Sequence, residues 1–543
     1  MQEFDPTLLH SMESNNTRQH GSYNPIRFII RLSPQIHNVL KDIEDDAHAK
    51  GALNFKQIQA FSTFMHENIH WWQHVGSNFG FLSSLSYPVG AHLAYADLNT
   101  MIAKGEKYKP IISYDEMWFT KENKHDNPEI NRLLNNCMDL IYAKQYAHSH
   151  ENIRTILKDK RFFLNIGHCY HILWSATVNA IAELFDPQNT YMPDSNKWLS
   201  EFERLEKEEV EGFYIDSPVG ISPLGTHAIY EGQARINQLQ YLTIASGNTM
   251  IYDDFSVLGM CGEIYMEAYE SFFELSKIEM PDNFNNSLVG LFLLVCEIAI
   301  NPVDGFPFDV YHFETFIISN DPGLRFVMLC QAIGKDINKW SNAVTEYTRE
   351  EYAMLSIELC KEIVCFAPIH GTVKVKEWIA SEQALQELLQ EETACSYRPE
   401  NMAVRMFFAK YLRFQEDKFK TPQLFCWIGK CMTNELPADL QAEQVLEVFN
   451  RQRALFIDDV DGDIYPMIFD NYTEDDLLKT FNEFFVYNTT YDMIYKWIFE
   501  KGDFTFEYNW LTSKYSEEET TNWIRNNFKK LFNIYPEDIE VLE

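Results

Sequence analysis

Along most of the chain, apolar residues recur at i, i+3, i+4 and i+7 with polar residues between them, and period-two alternation is rare. The pattern predicts a mainly α-helical protein with little β structure. Two short segments read as strands instead. Arg27 to Leu32 (RFIIRL) lies between Pro25 and the Ser33-Pro34 pair that opens the next helix, and Gly371 to Val375 (GTVKV) is the weaker candidate. The polar stretch from Gln390 to Asn401, which carries Pro399, separates two helical regions and marks a boundary near residue 395. Residues 1–395 then hold one domain, and residues 396–543 form a helical C-terminal region with an accessory or regulatory role. That region ends in a helix opened by Ser516 and Glu519, a capping-box pair, followed by Ile524, Phe528 and Leu531 on one stripe. No repeat of fixed period and no low-complexity tract interrupts the pattern.

Composition narrows the class of protein. With 543 residues, 46% of them hydrophobic and 15% aromatic, the chain can bury a large core, which argues against disorder. Its 80 acidic residues against 45 basic ones leave a net charge of −35, which repels phosphate backbones, and no basic patch offsets it. Nucleic acid is therefore not an expected partner. The ten cysteines are scattered without a CxxC pair, as expected of reduced, buried thiols in a cytoplasmic protein. Met1 to Thr17 is polar, with no basic stretch leading into an apolar one. The longest apolar run, Leu288 to Cys296, is nine residues, less than half of a bilayer span, so no membrane association is expected. Asp458, Asp459, Asp461 and Asp463 have the alternate spacing of a calcium loop. Ile464 stands where such a loop needs glycine and Asp470 where it needs a bidentate Glu, so the cluster reads as a solvated acidic turn.

The chemically informative segment is Asn54 to Gly76. Asn54 with Gln57 is a helix-start signature, Phe55, Ile58, Phe61, Met65, Ile69 and Trp72 form an apolar face, and Gly76 is a stop. The helix carries His66-Glu67-Asn68-Ile69-His70, an HExxH sequence. Histidines four apart project from one helix face, where both imidazoles can reach one tetrahedral metal, and the Glu after the first can hold a water. With 16 histidines in the chain, only roughly 0.04 such matches are expected by accident. A site of this kind needs a third protein ligand. His74 lies on the same row, but three histidines spread over two helical turns cannot converge on one ion without bending the helix.

The better third ligand lies in Gly225 to Leu242. Thr226 is the expected N-cap, Ile229, Ile236 and Leu239 supply an apolar stripe, and His227, Glu231 and Arg235 share one face. Here the chain resembles the gluzincin metallopeptidases, in which an HExxH helix is completed by a Glu on a later helix that often reads Glu-Gly-x-Ala, as Glu231-Gly232-Gln233-Ala234 does. The resemblance covers the two short helices, about forty residues, with 160 residues between His70 and Glu231. It implies a zincin-like fold and a peptidase acting on polypeptide substrates. It also implies that His66, His70 and Glu231 hold Zn2+, that Glu67 is the general base, and that the two helices approach closely through their small residues. An oxyanion donor would come from His227, first choice, or from Tyr230 or Arg235.

Two other readings use the same residues. Glu67 and His70 are also an ExxH half-site of di-iron carboxylate proteins, whose partner would be Asp309 to His312 with Glu297 or Glu231 bridging. Alternatively the chain is an acidic helical scaffold with an accidental HExxH, its aromatic residues anchoring a protein partner. A regulatory partner binding through the C-terminal region is compatible with the peptidase reading. His168 and His171, three apart among aromatic residues, read as satisfied core histidines. Ser222 lies one residue out of register with a nucleophile elbow.

Overall fold

The computed structural model describes residues 11–13, 16–18, 20–43, 53–118, 127–467, 472–508 and 510–542. It is 65% helix and 4% strand, so the mainly helical expectation holds. Two helices lie at the centre. The first, α1 (Phe55–Trp71), is buried all round from Gln59 to Trp71, and α5 (Thr226–Ala245) is buried over nearly its whole length. A helix without a solvent face is enclosed by other elements. Around this pair stand α2 (Asn78–Lys104), α3 (Pro128–His148), α4 (Ile166–Phe185), α6 (Glu263–Ser276), α7 (Ser287–Ile300) and α9 (Met402–Lys420). Between α7 and α9 in sequence lies α8 (Pro368–Ser381); α10 (Glu474–Phe499) and α11 (Glu517–Phe532) close the chain.

Local chemistry explains the ends of α1. Asn54 and Gln57 exchange two hydrogen bonds of 3.0 Å, the reciprocal capping box expected from the sequence. Instead of stopping at a simple cap, the helix widens into a π-turn over Trp72–Gly76. The hydroxyl of Ser77 then accepts from the Gly80 amide at 3.0 Å and starts α2. Gly80 is required there, because a Cβ would lie 1.9 Å from the carbonyl oxygen of Gln73 in the π-turn.

One small sheet packs against α1. Its strands are β1 (Gly21–Asn24), β2 (Ile29–Leu32), β3 (Phe456–Asp458) and β4 (Ile464–Pro466) in that spatial order, antiparallel except for the parallel β2–β3 pair. The strand expected over Arg27 to Leu32 is therefore shorter. Asn24 Oδ1 accepts from the amides of Ile26 and Arg27, and Phe28 is left-handed at φ 55°, so its first two residues belong to the hairpin turn. Gly371 to Val375 is not a strand at all. It lies inside α8, whose first position is taken by Pro368. Gly371 is fitted there against Val303, 2.6 Å from where a Cβ would stand.

The boundary placed near residue 395 falls on the link between the helix ending at Ala394 and α9. The main core runs from Phe28 to Leu511 and draws on both sides of that link, as does the β2–β3 pair. A second cluster joins α2 and the start of α3 to α10 and α11. The capping box of Ser516 and Glu519 is present, with Ile524, Phe528 and Phe532 buried behind it. The acidic turn between β3 and β4 is held by its own bonds: Gly462 donates to the Asp459 carbonyl at 2.8 Å, and Asp458 accepts from His37 and the Leu32 amide. Asp470 lies outside the described residues. Among the described residues no helix is long and apolar enough to cross a membrane.

Candidate metal centre

Helical spacing puts His66 above His70, and the tertiary fold brings Glu231 of α5 to the same point. The two Nε2 atoms are 3.2 Å apart, and Glu231 Oε2 lies 3.6 Å from His66 Nε2 and 3.5 Å from His70 Nε2. Ligands about 2.0–2.1 Å from a tetrahedral ion stand roughly 3.3 Å from one another, so the three atoms have the spacing of one face of a zinc tetrahedron. Among the described residues, no other three His, Cys, Asp or Glu side chains converge in this way. The side chains of His66 and His70 are 4% and 9% exposed and that of Glu231 22%, which leaves the open side of the triad next to the carboxylate.

The protonation pattern of His70 can be read from its neighbour. Gln73, in the π-turn, donates from Nε2 to the Tyr230 carbonyl at 2.9 Å, which fixes its amide orientation and turns its Oε1 toward His70 Nδ1 at 2.8 Å. Nδ1 must therefore carry the hydrogen, and Nε2 faces the triad. The chain of bonds continues inward. Gln73 Nε2 also donates to Gln233 Oε1 at 2.9 Å, Gln233 Nε2 to Glu297 at 3.4 Å, and Glu297 is paired with Lys418 at 2.9 Å. Sequence reasoning missed these four supporting residues, because their roles depend on the π-turn and on contacts between distant helices.

Electrostatics divide the cluster. Burial would lower His70, but Glu231 and then Glu67 outweigh it and hold its pKa up at about 9. Burial lowers His66 to about 3, and Glu231, which burial alone would raise, is held well below the carboxylate range by the histidines. Without a metal these shifts favour His70 as the imidazolium and His66 as the neutral imidazole. Glu67 is raised to about 8, chiefly by burial. Its carboxyl is pressed by β1: a Cβ on Gly21 would stand 2.6 Å from Glu67 Oε1 and 2.9 Å from its Cγ.

The triad opens into a cavity of about 400 Å3 that takes its walls from β1, α1, α2, α3, α5 and α6. His227 lines it and stacks on His148 of α3, with ring centroids 4.9 Å apart. Tyr230 lines it too, in edge contact with His74 at 5.1 Å. Arg235 does not line it; it is buried over the Tyr265 ring at 3.9 Å and donates to Gln238. His74 belongs to the cavity wall and not to the triad, and burial lowers it to about 3. Tyr23, near-parallel to the His70 ring at 6.4 Å, and Tyr265, edge-on to His66 at 6.1 Å, are cavity residues that carry no sequence signal. Thr226 is the first residue of α5 and Gly225 its cap. Gly232 faces α6, where a Cβ would meet that of Ala268 at 3.1 Å, so this glycine admits α6 and not α1.

The partner half-site of the di-iron reading is not assembled. Residues 309–312 are not helical, and Asp309 accepts from the Trp198 indole at 2.6 Å. Glu297 is engaged by Lys418. His171 is buried and stacks on Phe202 at 4.3 Å, as expected of a core histidine, whereas His168 pairs with Asp139 at 3.2 Å with its side chain 35% exposed. Against protein-family models, curated proteins and solved structures, the chain has no match.

Proposed function

We propose that this protein is a zinc-dependent metallohydrolase that cleaves peptide bonds, with His66, His70 and Glu231 as ligands and Glu67 as general base. The observation that carries the reading is the spacing of the three donor atoms, 3.2 to 3.6 Å, beside a buried carboxyl group. The donor set of two imidazoles and one carboxylate suits zinc and leaves a fourth position free. When bound, zinc supplies a double positive charge that polarises the scissile carbonyl, acidifies the attacking water and lowers the proton affinity of Glu67.

The chain's own residues do the rest. With its burial-raised proton affinity lowered by the charge of the metal, Glu67 would take a proton from the attacking water and return it to the leaving amine. Gln73 holds His70 in the tautomer that a ligand needs. His227 lines the same cavity and is the candidate donor to the developing oxyanion. A polypeptide is favoured over a small substrate by β1, the edge strand of its sheet, whose Gly21, Ser22 and Tyr23 line the cavity and offer main-chain pairing to an extended peptide. Hydrolysis of an unfolded polypeptide by the zinc-loaded wild type, abolished in Glu67→Gln with zinc retained, is the expected result; equal rates would refute the assignment.

A further inference from the structure

Among the described residues, Lys144 is the one Lys or Arg that lines the cavity of the metal centre. It projects from α3 one turn before His148, which lines the same wall. Its ammonium sits 3.7 Å over the ring of Tyr87 and forms no ion pair or hydrogen bond with a described residue. Other buried or half-buried cations are held by hydrogen bonds: Lys410 by Glu392, Lys418 by Glu297 and Arg451 by Asp417 in ion pairs, Lys109 and Arg325 by main-chain carbonyls, and Arg235 by Gln238. A ring face offsets only part of the hydration that a buried ammonium loses, and burial pushes Lys144 down to about 7. Both facts describe a cation whose counter-charge is not supplied by the fold.

Resting on the peptidase reading, we propose that Lys144 is a specificity-determining residue. It forms an anionic subsite that binds a carboxylate of the polypeptide substrate, either an Asp or Glu side chain at one fixed position or the free α-carboxylate at the C-terminus. Such a carboxylate would complete the ion pair inside a partly enclosed cavity, where it is worth far more than at an exposed surface. Glu67 and Glu231 in the same cavity do not fill this role, since the first is turned to β1 and the second to the histidines.

The test is to digest a mixed peptide library with zinc-loaded wild type and to identify the cut sites by mass spectrometry. Single peptides follow in matched pairs: Glu against Gln at the favoured position, and a free against an amidated C-terminus. We expect the carboxylate member of one pair to be cleaved roughly 10- to 100-fold faster in kcat/KM. The pair that responds identifies the source of the carboxylate. Lys144→Met should remove that preference and leave kcat/KM for the neutral member within about twofold, and Lys144→Arg should keep part of it. Cleavage without carboxylate preference, or equal losses on both members in Lys144→Met at an unchanged melting temperature, would overturn this inference alone. No cleavage of any peptide would overturn the peptidase reading and this inference with it.

Discussion

His70 Nδ1 stands 2.8 Å from Gln73 Oε1, and the two residues are joined by the backbone step in which α1 widens into its π-turn. The step aims Gln73 at the second turn of α5, where it bonds the Tyr230 carbonyl next to Glu231. One amide therefore sets the tautomer of a ligand on one helix and fixes that helix to the one carrying the third ligand. π-Turns concentrate at functional sites for this reason: they cost hydrogen-bond quality and redirect side chains.

Replacing Gln73 with Leu should weaken zinc binding roughly 10- to 100-fold, because His70 loses the partner that keeps its proton on Nδ1. Competition against a chelating dye measures this. An affinity within twofold of wild type would show that the amide has no such role.

Gly21→Ala is expected to act on Glu67 without touching the ligands. The added methyl would stand 2.6 Å from Glu67 Oε1, so the carboxyl must shift, and a displacement of about an ångström costs catalysis on the order of 100-fold. Zinc content should stay at the wild-type level. Unimpaired hydrolysis would mean that β1 gives way instead.

Zinc affinity should rise with pH. His70 is held at about 9 in the metal-free protein, so binding must expel its proton, and affinity gains at least about tenfold per pH unit between roughly 6.5 and 8, where Glu67 adds to the slope, and less as pH nears 9. The stability of the metal-free protein runs the other way. A raised His contributes fully below its ordinary pKa and is lost as pH rises through about 9, and the raised Glu67 loses stability in the same direction up to about 8. The gain in melting temperature on adding zinc should therefore widen from pH 6.5 to 9. A constant gain would contradict the shared proton.

Lys418→Met leaves Glu297 buried and unpaired at the inner end of the chain of bonds that supports the site. The expected loss is about 3–5 kcal/mol in chemical denaturation, with much of it recovered when Glu297→Gln is added. Equal stability of the single and double variants would show that the pair is not the cause.

The parts of this architecture that were legible in the sequence rest on local chemistry. Asn54 and Gln57 cap α1 through each other, Ser516 and Glu519 cap α11, and His66 and His70 converge because the helical repeat brings them one above the other. Glu231 was reachable through its Gly232 and Ala234 neighbours, although Gly232 serves the approach of α6. The misreadings have tertiary causes. Thr372, Val373 and Val375 favour strands, yet Pro368 opens a helix there, Gly371 fits its backbone against Val303 and Pro307, and Thr372 bonds Gln415 of α9 at 2.9 Å. The roles of Gln233, Glu297, Lys418 and Lys144 could not be seen, because each depends on a partner 57 or more residues away.

Metal content per chain, measured by elemental mass spectrometry on protein purified without chelator, decides whether His66, His70 and Glu231 form a zinc site. About one zinc in the wild type and in Glu67→Gln, lost in His66→Ala and Glu231→Ala, is the predicted result. No zinc in the wild type, zinc indifferent to Glu231→Ala, or about two irons in its place would contradict it.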